Sequence, residues 1–147
     1  MSQYFWAVSL DKVSLVNSNN NEITKSKRVR KNTKAVIDSG SSYLLMPEGY
    51  FWDFFIELTK TEDTYCEVDY YNTLYCTYTE DSYHKLPELD FEIDGKNYRV
   101  PRKSLYVPLD EYEGLLAVEV TYIEGWNEWL FGLTFLENYY AVYDMEK

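Results

Sequence analysis

Histidine is nearly missing from this 147-residue chain, which has a single one, His84. A nucleophilic serine or cysteine needs a histidine base held beside it, and His84 sits in a polar loop just ahead of Leu86-Pro87. Triad chemistry is therefore disfavoured. Cysteine is scarce as well. Cys66 and Cys76 lie ten positions apart, a spacing that suits neither a CxxC redox site nor a zinc ribbon. With one histidine, the ligands are too few for a structural zinc. No GxGxxG, Walker or HExxH pattern occurs, and Asp69 and Asp81 lack metal-ligand spacing. Metal and phosphate chemistry are therefore disfavoured. Long apolar runs are missing too, and without about 18 such residues in a row no helical membrane span is expected. The opening MSQYFWAVSL has no basic n-region and no small-residue cleavage site, so no signal peptide is read there. Either the protein is cytosolic or its true start lies upstream.

Positive charge is in short supply, and it is unevenly placed. The net charge is -11, but residues 1–34 carry seven basic and two acidic side chains and the remainder carries -16. Nucleic-acid binding needs a basic face to neutralise phosphates, so an acidic body argues against it. The five cations between Lys25 and Lys31 are read as a solvated hairpin edge.

What is abundant is aromatic and apolar character: 18% of residues are aromatic and 46% hydrophobic, enough for a single packed domain over residues 1–147. Residues 4–16, YFWAVSLDKVSLV, alternate as one or two strands, and NSNNNE follows as a polar turn. Ala35-Val36-Ile37 reads as a short buried strand running into Asp38-Ser39-Gly40-Ser41. Pro47 is suited to the first helical position, and Phe51, Phe54, Phe55 and Leu58 recur at helical spacing. Residues 62–84 read as a loop or short hairpin closed by a Cys66–Cys76 disulfide, with two unpaired buried thiols as the alternative. A disulfide there implies an oxidising compartment. Leu89, Phe91 and Ile93 alternate into an Asp94-Gly95 turn, from which Tyr98 and Val100 return. Strand-like runs follow at Leu105–Val107 and 115–123, and 129–144 is apolar almost throughout. The sum is a mostly-β domain with one or two short helices.

The Asp38-Ser39-Gly40-Ser41 turn reads in two ways. Asp, Ser and Gly all form turns, so an ordinary turn suffices. Yet a buried strand here delivers a carboxylate to its end, beside a glycine that admits close backbone approach and two hydroxyls able to hydrogen-bond it. Such a setting orients an acid for general acid-base work.

Taken with a second motif, this turn resembles the C-terminal lobe of the pepsin-like aspartic peptidases. AVIDSGSSYLLMP at 35–47 looks like that family's second active-site loop, and WLFGLTFLENYYAVYDMEK at 129–147 is similar to its closing segment. The cysteine pair, LPELDFEIDGKNYRVP and the opening YFWAVSLDKVSL match in kind and order. The resemblance implies one lobe of a bilobal acid-protease fold, with the N-terminal lobe absent from these 147 residues. It implies that Asp38 is one of two catalytic aspartates of an endopeptidase, with Gly40 as the turn residue. Ser41 would hydrogen-bond the outer carboxylate oxygen, and Ser39 would help lock the two active-site loops together. Leu130-Phe131-Gly132 would thread beside the Asp38 loop, Gly132 being small enough for the crossing. Trp129, Phe135, Tyr139 and Tyr140 are core residues in any reading. Leu133 stands where the family often has Asp, which bears on a local polar contact.

The implied substrate is an extended polypeptide, and the implied location is the secretory pathway, lysosome- or vacuole-like, or extracellular. The sequence contains one D-[S/T]-G turn and no recognisable flap tyrosine. The second aspartate must then come from a partner lobe or from a second copy of the chain. The alternative is a non-catalytic, peptidase-like binding module.

Overall fold

The computed structural model describes residues 6–17, 22–29 and 33–139. The alternating residues at the start form one long strand, β1 (Trp6–Asn17), rather than two. Its first half pairs antiparallel with β3 (Lys34–Ile37). Its second half lies between β2 (Glu22–Arg28) and β7 (Glu88–Ile93), burying Leu10, Val13, Leu15 and Val16. The cation-rich segment thus falls on a hairpin strand as expected. The polar turn before it lies mostly outside the described residues, as do Arg30 and Lys31.

From β1 the sheet extends in both directions. On one side β7 turns at Asp94-Gly95, both with positive φ, into β8 (Lys96–Val100). On the other, β12 (Trp129–Phe131) is inserted between β3 and β4 (Leu44–Leu45), parallel to the first and antiparallel to the second. The short strand β11 (Val120–Thr121) closes that edge, parallel to β4. A second, antiparallel sheet has the order β5 (Tyr65–Val68), β6 (Leu74–Thr77), β10 (Leu115–Val118), β9 (Tyr106–Pro108). Cys66 stands directly opposite Cys76 in the β5–β6 register, and the two are disulfide-bonded.

Four helices occur among the described residues, not one or two. The helix α1 (Glu48–Thr59) is the one expected from aromatic spacing, with Phe51, Phe54 and Leu58 buried and Phe55 half-buried. Pro47 caps it one residue earlier than expected, its carbonyl accepting the Tyr50 and Phe51 N–H groups at 3.0 and 3.1 Å. The others, α2 (Glu80–Tyr83), α3 (Arg102–Leu105) and α4 (Leu133–Leu136), are single turns. A single turn spans too few residues to show a 3.6-residue period, and they went unseen for that reason.

The core between the layers is aromatic. Phe91 packs against Trp129 and Phe131 at centroid distances of 5.6 and 4.8 Å, and Phe131 stacks on Phe135 at 4.4 Å. Burying each such ring stabilises the fold by about 1.5–3 kcal/mol. Trp129 and Phe135 are buried and Tyr139 half-buried, while Tyr140 lies outside the described residues.

Candidate active-site loop

Asp38 follows directly on β3, whose neighbouring strands β1 and β12 determine its position. Its backbone N–H donates to the Phe131 carbonyl at 3.1 Å, continuing the parallel β3–β12 ladder by one step. The turn then closes on itself. Ser41 N–H donates to the Asp38 carbonyl at 3.2 Å, and Gly40 N–H donates to Asp38 Oδ1 at 2.9 Å. A Cβ on Gly40 would sit 3.2 Å from that same oxygen, so glycine lets the backbone reach the carboxylate. Asp38 is half-buried, and Ser39 and Gly40 are exposed. The half-buried carboxylate is thus held by a backbone donor.

The segment after β12 stitches the far side of the loop. Gly132 N–H donates to Tyr43 O at 3.1 Å, Leu133 N–H to Ser41 O at 2.8 Å, and Thr134 N–H to Ser42 O at 3.1 Å. The buried Thr134 hydroxyl adds a bond to Ser42 O at 2.8 Å. Leu130 pairs Val36 on one side and Leu45 on the other, which places it between β3 and β4. Thr134 was not singled out from the sequence. A lone hydroxyl residue inside the apolar run WLFGLTF was the available signal.

Ser41 Oγ in this chain donates to Tyr43 O at 3.4 Å rather than to the Asp38 carboxylate. Two groups flanking the loop titrate abnormally. Burial raises the Glu119 carboxyl above its ordinary value, with repulsion from Glu137 adding to it. Burial likewise raises the Tyr43 phenol, helped by Glu119, Tyr75 and Asp69. Among the described residues no group of three or more His, Cys, Asp and Glu is placed to hold a metal ion. No helix there is long and apolar enough to cross a membrane.

A family model described as eukaryotic aspartyl protease matches this chain over residues 1–147. The chain belongs to that family. It is 31% identical over 115 residues to gastricsin of Callithrix jacchus, covering 76% of this chain and 27% of that protein. Pepsin A of Gallus gallus is 26% identical over 145 residues, covering 97% of this chain and 34% of the relative. The fold matches the crystal structure of an aspartic proteinase from Irpex lacteus at a TM-score of 0.62 and 20% identity, covering 90% of this chain and 37% of that one. This aspartyl-protease chain thus spans about a third of the length of the proteins it resembles.

Proposed function

We propose that the chain is the C-terminal lobe of a pepsin-like aspartic endopeptidase and that Asp38 is one of its two catalytic carboxylates. The observation that carries this reading is the seating of Asp38. It stands at the end of a buried strand, its carboxylate held by the Gly40 N–H and its loop clamped by residues 131–134. A fixed, surface-accessible acid is what water activation requires. A facing lobe supplies the second aspartate. Two carboxylates that close share one proton, because both cannot easily ionise together, and the pair titrates as a unit. One then takes a proton from the attacking water while the other protonates the peptide carbonyl, with no covalent intermediate and no metal or organic cofactor.

In this reading Ser41 turns from Tyr43 O to the outer carboxylate oxygen once the facing lobe is present, and Ser39 bonds across to that lobe's loop. The substrate is an extended polypeptide lying between the lobes. The disulfide supports an oxidising, secretory, lysosome- or vacuole-like, or extracellular setting.

The test is cleavage of a denatured protein at acid pH by a two-lobe polypeptide containing this chain. Asp38→Asn abolishes turnover while leaving the thermal unfolding midpoint nearly unchanged. Retained cleavage by that variant overturns the assignment.

A further inference from the structure

The β5–β6 hairpin tip presents Tyr70 and Tyr71 to solvent at 94% and 82% exposure, their rings edge to face at 5.7 Å. Apolar ring surface left in water gains nothing for the fold, and a floppy loop would at least keep its entropy. This tip is held in place instead. Asp69 Oδ1 accepts the backbone N–H groups of Tyr71 and Thr73 at 2.8 and 3.0 Å. Asn72, at φ +64°, donates its side-chain amide to Tyr122 O at 3.1 Å and accepts from the Thr121 hydroxyl at 2.8 Å. Tyr122 in turn packs on Phe51 of α1 at 4.7 Å, and the disulfide closes the hairpin's base. The two phenols therefore stand on a backbone tied to the core, which lowers the ordering cost of binding through them.

The charge around the tip selects the occupant. The hairpin, residues 65–77, carries two carboxylates, Glu67 and Asp69, both exposed, and no lysine or arginine. Aromatic faces attract guanidinium and ammonium groups, and nearby carboxylates add to that attraction. We propose that the Tyr70–Tyr71 tip is a binding surface for an extended, arginine- or lysine-bearing polypeptide segment. It does not rest on the peptidase reading.

The test uses the intact 147-residue chain and a heptapeptide of alternating Arg and Gly, titrated while following the Tyr70 and Tyr71 ring protons by NMR. Saturable shifts are expected, absent for the same peptide with Glu in place of Arg. Binding falls by about tenfold in the double variant Tyr70→Ala/Tyr71→Ala, as the loss of two exposed cation–π contacts requires. It is retained in Tyr70→Phe/Tyr71→Phe, which keeps the faces and removes the hydroxyls, and in Asp38→Asn, which separates this surface from catalysis. Equal binding of the Glu peptide, or undiminished binding by the alanine variant, overturns the proposal. So does a concentration-dependent dimer that the alanine variant abolishes. That result assigns the tip to ring-mediated self-association rather than to a cationic segment.

Discussion

A Cβ placed on Gly132 would lie 2.4 Å from the carbonyl oxygen of Ser41. Real side chains do not approach a backbone oxygen that closely, and the Tyr43 oxygen stands equally near. Both obstacles belong to the loop that carries Asp38, and Gly132 itself donates to Tyr43 O. Gly132→Ala must therefore move the loop or break the ladder, at a cost of about 3 kcal/mol, the upper end of overpacking penalties. Urea unfolding followed by tryptophan fluorescence checks it. Gly49→Ala is the control, because nothing lies within 4 Å of a Cβ there. In α1 it should be neutral or stabilise by roughly 0.5 kcal/mol.

The same relationship shows what could be read from the sequence. Asp38, Gly40 and Gly132 were legible because two short motifs carried them, and the β7–β8 hairpin because Asp94-Gly95 sits between alternating runs. The insertion of β12 between β3 and β4 joins residues about ninety positions apart, and only the family resemblance hinted at it. Local pattern does not encode that crossing. Asp69 looked like an unremarkable loop acid because its role depends on where its own backbone turns. Glu119 and Glu88 gave no signal at all, since burial of a carboxylate depends on what packs over it.

Glu119 makes stability respond to pH. Its carboxyl is raised above the ordinary 4.5, first by burial and then by Glu137. A raised acid binds its proton more tightly in the folded state, so its contribution favours folding at low pH. That contribution is lost as pH rises from about 4.5 through the folded value. Glu119→Gln removes the charge that burial penalises. The variant should match the parent near pH 4 and exceed it in urea midpoint near pH 7. A constant difference at both pH values would show that Glu119 is ionised equally in both states.

The disulfide constrains the unfolded chain more than the folded one. Cys66 and Cys76 enclose a loop ten positions long, and closing a loop of that size stabilises by about 3 kcal/mol on chain-entropy grounds. For a domain of this length that is roughly 10 °C in melting temperature. Cys66→Ser/Cys76→Ser should melt that much lower and be insensitive to reductant. The parent under reducing conditions should approach the variant. A reduced parent melting with the oxidised one would show that the β5–β6 register alone fixes the hairpin.

Glu88 is buried on β7, and its two oxygens serve different elements. One accepts Arg99 Nη1 at 3.1 Å, and the other accepts the backbone N–H of Arg102 at 2.7 Å. That N–H opens α3, where Pro101 at the cap position offers no side-chain acceptor, so Glu88 caps the turn from a neighbouring strand. Arg99 also forks onto Asp90, and these hydrogen bonds raise its pKa further. Its carbonyl accepts the Tyr139 hydroxyl at 2.6 Å, which ties in the chain after α4. Glu88→Ala takes one of two carboxylates from the half-buried Arg99 and leaves a helix-opening N–H without its acceptor, costing about 2 kcal/mol. Glu88→Gln keeps an acceptor for Arg102 and should cost about 1 kcal/mol, the worth of one net hydrogen bond. Asp90→Ala falls between them, because Arg99 retains Glu88. Chemical denaturation of the three variants ranks them, and a Glu88→Ala loss no larger than that of Glu88→Gln would mean that α3 does not depend on this cap.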